Sequence, residues 1–140
     1  MTRDEIAQFF ARRAKSFAAL DARAIASSHA EDCVFESPLA GRLLGRAAIE
    51  NFYQSLFTSF SDFAFEQTDL LIDGDRAVQI GVVSGTNDGG FMGLPPTGKR
   101  FNFAVVLVCT LRDGFIVAER LVYDFTGWMV QIGILKAKPQ

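Results

Sequence analysis

Apolar residues recur every three or four positions near the start of this chain and in runs with β-like alternation towards its end. Ile6, Phe9, Phe10, Phe17 and Leu20 fall on one helical face, behind Thr2 and Glu5 at capping-box spacing. Arg13 interrupts that apolar stripe. DARAIASSHA predicts a short second helix, with His29 at its end in a structural or surface role, where a positively disposed side chain suits a helix C-terminus. CVFES predicts a short strand closed by Pro38, and Ile49, Phe52, Tyr53, Leu56 and Phe60 share one face of a third helix.

The second half reads as strands punctuated by turns. FAFEQTDLLI ends at Asp73-Gly74, RAVQIGVVSGT leads into a Gly-rich stretch, and RFNFAVVLVCTL ends at Asp113-Gly114 before FIVAERLVYD. Asp-Gly suits tight hairpin turns because glycine tolerates positive φ. A short closing helix contains Trp128 and Gln131. Helices followed by an antiparallel meander predict an α+β fold, with residues 1–140 as one domain. FNFAVVLVCTL is apolar on both faces, so its second face is expected to be covered by a further subunit, most simply in a homodimer.

Composition narrows the function. The chain has 140 residues and 14 phenylalanines, enough for a core and an apolar cavity together. A net charge of −2 gives no basic face for nucleic acid. Cys33 and Cys109 sit in apolar settings and read as reduced, buried thiols of a cytoplasmic protein. His29 is the single histidine, with no cysteine or histidine near it in sequence, so no metal site is expected. No run is long enough for a membrane span. GGFMGLPPTGK lacks phosphate-loop spacing and predicts a hairpin excursion with Phe91, Met92 and Leu94 at its tip, folding over a cavity mouth or against a neighbouring subunit.

RLVYDFTGWMVQIG carries the candidate chemistry, since Asp124 is placed among Leu121, Val122, Tyr123, Phe125 and Trp128. Strand alternation puts Arg120, Val122 and Asp124 on one face, opposite Glu119, Leu121 and Tyr123. A carboxyl facing an apolar pocket has its pKa raised towards the range useful for proton transfer. The same aspartate also stands where it can cap the last helix. Arg120 is a candidate for holding a substrate oxygen, or for pairing with an acidic neighbour. Arg13 can reach the pocket or extend its charge to the surface. Tyr53 can serve the core or hydrogen-bond a ligand carbonyl, and Trp128 can wall the cavity.

VSGTNDGGFMGLPPTGKRFNF followed by DGFIVAERLVYDFTGWMVQIG resembles the SnoaL-like polyketide cyclases, as do AEDCVFESP and GRAAIENFYQSLFTSFSDF in the first half. The resemblance spans residues 5–135. It implies a cone-shaped α+β fold of the nuclear transport factor 2 and ketosteroid isomerase type, a curved antiparallel sheet wrapped around the N-terminal helices and enclosing an apolar pocket. It implies a cofactor-independent enzyme in which Asp124 is the general acid/base of an aldol cyclisation or isomerisation of a hydrophobic carbonyl compound. Arg120, Asn87, Tyr53, Arg13, Trp128 and Phe91 are then substrate-binding candidates. Family members often carry Gly-Thr-His where this chain has Gly85, Thr86 and Asn87, so a neutral amide stands where those members offer a second acid–base group. Two alternatives remain open: an epoxide hydrolase-type enzyme of the same superfamily, and a non-catalytic small-ligand-binding protein.

Overall fold

The computed structural model describes residues 1–137, and over these it shows four helices and one six-stranded sheet. Helix α1 (Arg3–Ala18) is followed by α2 (Ala22–Ser27), β1 (His29–Ser37), β2 (Gly41–Leu44) and α3 (Arg46–Ser59). The meander β3 (Ala64–Asp73), β4 (Arg76–Thr86), β5 (Arg100–Arg112) and β6 (Phe115–Val122) comes next, and α4 (Phe125–Gln131) closes the fold. The sheet order is β2-β1-β6-β5-β4-β3. Strand β1 runs parallel to β6, and all other neighbours are antiparallel.

The α+β expectation holds, and the strand read over CVFES forms between α2 and α3 as part of the longer β1, with β2 paired to it in addition. The four residues of β2 are too few to show a period of two, so sequence alternation does not reveal them. His29 opens β1 and is fully buried, which corrects its placement at a helix end. Both Asp-Gly turns form where expected, with Gly74 and Gly114 at φ 61° and 85°.

The capping box at Thr2 and Glu5 is present, and α1 lays Ile6, Phe9, Phe10, Arg13 and Phe17 against the sheet. Register shifts within β3–β4, β5–β6 and β1–β6 mark irregularities of the kind that bend a sheet. The concave face carries alternate residues: Ala77, Gln79 and Val83 of β4, and Phe101, Val105, Leu107 and Cys109 of β5. Two apolar clusters result. The larger joins α2, α3, α4 and the concave sheet, and the smaller joins Ile6, Phe9 and Phe10 of α1 to Ala77, Cys109, Leu111 and Ile116.

Candidate active site

A partly open cavity lies within the larger cluster. Phe17 of α1, Phe52, Tyr53 and Leu56 of α3, and Trp128 of α4 line it from one side. Phe65, Val83, Phe103, Val105, Leu107, Leu121 and Tyr123 supply the sheet side, with Leu39 and Phe63 from loops. Its free volume is about 40 Å³, room for a few waters at most. Phe52, Phe65, Phe103 and Tyr123 are only half-buried. These rings can move aside for a larger ligand more easily than the fully packed core behind them.

Polar groups at the wall are few. Burial and the Glu119 charge push the Tyr53 phenol far up, so it stays a donor, and it has no hydrogen-bond partner among the described residues. The indole N–H of Trp128 is likewise buried and unpartnered. The Tyr123 hydroxyl accepts from the Leu39 N–H at 3.1 Å, and burial raises its pKa. The free surface of the cavity is almost wholly apolar, with the Trp128 indole N–H buried behind it.

Asp124 stands elsewhere. It is the N-cap of α4, exposed, with its carboxylate accepting from the Gly127 N–H at 2.9 Å. A side chain on Gly127 would collide with that carboxylate. The spacing of Asp124 and Gly127 is thereby accounted for as a helix start. The sequence-based alternation of β6 is correct, but the inward face is the Leu121–Tyr123 face. Arg120 is exposed on the convex side of the sheet beside Val122, which corrects its assignment to the pocket.

Asn87 and Phe91 are buried without lining the cavity. Asn87 donates to Thr97 Oγ1 at 3.2 Å, and Thr97 donates to the Ile132 carbonyl at 2.7 Å. Phe91 packs on Phe60 and Trp128, with ring centroids 5.2 and 5.5 Å away, behind the cavity wall. The Gly-rich segment therefore anchors its Phe91 in the core, while Met92 and Leu94 remain exposed. Of the candidates, Tyr53 and Trp128 reach the cavity.

Arg13 lies behind the wall, its guanidinium carbon 5.4 Å from the Phe17 ring centroid. It binds both Glu119 oxygens, at 2.7 and 3.0 Å, and the Gln79 side-chain carbonyl at 3.2 Å. His29 Nε2 meets Glu119 Oε1 at 2.7 Å. Burial alone would push the Glu119 carboxyl up, but Arg13 and His29 outweigh it and hold the pKa at about 2. Sequence reading missed Glu119, His29 and Gln79 as a unit. The available signal was two lone charges of opposite sign, Arg13 and Glu119, each on an otherwise apolar face.

A family model of SnoaL-like polyketide cyclases matches residues 7–132. Among solved structures, AclR from Streptomyces galilaeus, a proposed hydroxylase, superposes with a TM-score of 0.84 at 22% identity, covering 99% of this chain and 91% of its own. A proposed SnoaL-like polyketide cyclase from Jannaschia sp. CCS1 gives 0.83 at 21%, covering 97% and 94%. IdmH from Streptomyces antibioticus, a proposed polyketide cyclase, gives 0.77 at 26%, covering 91% and 97%. Another neighbour has the ketosteroid isomerase-like fold. No curated protein matches.

Proposed function

The chain belongs to the SnoaL-like polyketide cyclase family, and on that premise we propose that it binds a hydrophobic aromatic carbonyl compound and moves a proton beside the carbonyl, in aldol cyclisation or isomerisation. The observation that carries this reading is an aromatic-walled cavity lined by Tyr53 and Trp128, whose phenol and indole N–H would meet a ligand carbonyl once the rings open. Donors placed where negative charge develops favour an enolate over the ketone it comes from. The half-buried rings swing outward to admit a ligand of several rings.

In this reading Asp124 is the acid/base. It follows Tyr123 directly, at the end of the wall, and its carboxylate leaves the Gly127 N–H when a ligand fills the cavity. The test needs no knowledge of the natural substrate. Aromatic ketones are incubated with the protein in deuterated water, and exchange of the hydrogens next to the carbonyl is followed by NMR. Enzyme-dependent exchange that disappears in Asp124→Asn is the expected result.

A second reading, ligand binding without turnover, is favoured by the commitment of Asp124 to its cap and by the small cavity. It predicts quenching of the Trp128 fluorescence by aromatic ligands with no exchange. The epoxide-hydrolase alternative has less support, because no carboxylate is among the cavity-lining residues.

The protein is further proposed to be a homodimer. On the convex face Ile80, Val106 and Val122 lie side by side across three strands, and Val78 and Val108 form the next row, ending at Arg120. Val122 is 50% exposed and Val82, also on this face, 39%. A second copy of the same face would cover this apolar stripe through a two-fold axis.

A further inference from the structure

The cavity is too small for any ring, since its free volume of about 40 Å³ falls well short of the roughly 150 Å³ of a cavity that takes benzene. Part of its wall must therefore move when a ligand enters. Most of the wall is fixed from several sides. Strand β5 is paired with β4 from Arg100 to Thr110 and with β6 from Val106 to Arg112, and α3 buries Ile49, Tyr53 and Leu56. The turn between β1 and β2 is different. It places Leu39 against the cavity, while Pro38 beside it is exposed.

Few bonds hold this turn. The β1–β6 ladder ends at the pair Glu36 and Arg120, whereas β6 runs on beside β5 as far as Val122, so the sheet splits here. Strand β2 has four residues and pairs with β1 alone. The Ser37 hydroxyl accepts from the Ala40 N–H at 2.9 Å, a bond internal to the hairpin. Among the described residues, one hydrogen bond ties residues 38–40 to the opposite side of the split: the Leu39 N–H donates to the Tyr123 hydroxyl at 3.1 Å. Outside the turn, Ser37, Pro38, Leu121 and Val122 border an open groove, and Leu121 also lines the cavity. The turn is thus a partition between cavity and solvent, fastened by one phenol.

We propose that the Pro38–Ala40 turn is the entrance for the ligand, with Leu39 as its plug and the Tyr123 hydroxyl as its latch. The inference rests on the cavity being the ligand site and adds the route into it. Opening breaks one hydrogen bond and withdraws one leucine, and water then satisfies the Leu39 N–H. The split sheet lets the turn lift with the β1–β6 ladder intact. Gly41 at its far end, at φ 68° and with open space where a side chain would stand, leaves the backbone free to pivot. Burial holds the Tyr123 phenol neutral, so the same bond can form again over a bound ligand. Tyr123 is here a positioning residue, governing how often the cavity opens and not how tightly the ligand is held.

The experiment uses prodan, an uncharged naphthyl ketone whose emission shifts on leaving water, mixed with the whole protein in stopped flow. Tyr123→Phe keeps the ring and removes the latch. Association and dissociation should both accelerate about fivefold, the effect of losing one hydrogen bond, while Kd stays within about twofold of the wild type. Tyr53→Phe should leave association unchanged. Faster dissociation alone in Tyr123→Phe means that the phenol holds the ligand directly, and unchanged rates mean that the entrance is elsewhere. Either result overturns this inference and leaves the cavity reading standing. Absence of prodan binding to the wild type overturns both. If Tyr123→Phe fails to fold, hydrogen exchange in the wild type decides. The Leu39 amide should exchange by local opening roughly tenfold or more faster than the amides at the centre of β1, and equal protection overturns the entrance.

Discussion

Glu119 and Arg13 meet at 2.7 Å although 106 residues separate them in the chain. This contact ties the first helix to the last strand, through the layer between the two apolar clusters. Both partners are essentially without solvent, so removing one strands the other. Glu119→Ala is expected to destabilise the protein by about 3–5 kcal/mol, because it leaves the Arg13 charge buried without a counter-charge and His29 Nε2 without its partner. Urea unfolding followed by Trp128 fluorescence measures this.

The same carboxylate dictates how stability responds to acid. Its pKa falls from 4.5 to about 2 on folding. A depressed carboxyl pKa means that the unfolded chain binds the proton first. The contribution of Glu119 is therefore complete above pH 4.5 and is lost as the pH falls from there towards 2. A urea midpoint that stays flat between pH 4.5 and pH 2.5 would contradict the pairing. Glu119→Gln should remove this part of the acid dependence.

Asp124 and Gly127 should show a reversal of sign. Asp124→Ala removes the cap and costs about 1 kcal/mol. Gly127→Ala alone is expected to destabilise, since its new methyl meets the Asp124 carboxylate. Combined with Asp124→Ala, the same Gly127→Ala should become neutral or stabilising, because alanine is favoured over glycine within a helix by about 1 kcal/mol. Additive effects in this double-mutant cycle would refute the close packing of the cap on Gly127.

The two tyrosines at the cavity separate binding from folding. Tyr53→Phe should leave thermal stability nearly unchanged, because its hydroxyl has no partner among the described residues, while weakening carbonyl ligands several-fold. Tyr123→Phe strands the Leu39 N–H and should cost about 1 kcal/mol of stability. Melting curves and ligand titrations on both variants decide.

Val106→Asp places a charge at the centre of the convex stripe. Sedimentation should show a dimer for the wild type and a monomer for this variant. A wild-type monomer would leave the apolar face without its proposed partner.

The long elements were legible because their periods are long enough to count. Strands β4 and β5 match the runs read from the sequence, and α1 begins at its capping box. The site was less legible, for a physical reason. Alternation tells which residues of β6 share a face but not which face turns inward. Leu121 and Tyr123 are larger and more apolar than Val122 and Asp124, and that comparison, not the unusual aspartate, identifies the inward side. The burial of His29 was hidden because its partner Glu119 lies 90 residues ahead in the chain.

The Thr97 hydroxyl, bonded to the Ile132 carbonyl, acts as a clasp. Gln131 adds a second stitch, accepting from the Asn102 N–H and donating to the Asn102 carbonyl. Thr86 is pinned to Asp62 by its N–H and its hydroxyl. Thr86, Thr97, Gln131 and Ile132 stand in the motifs by which the sequence resembles its family, and here they sew the roof to the tail. A signature of this kind identifies a shared tailoring of the shell.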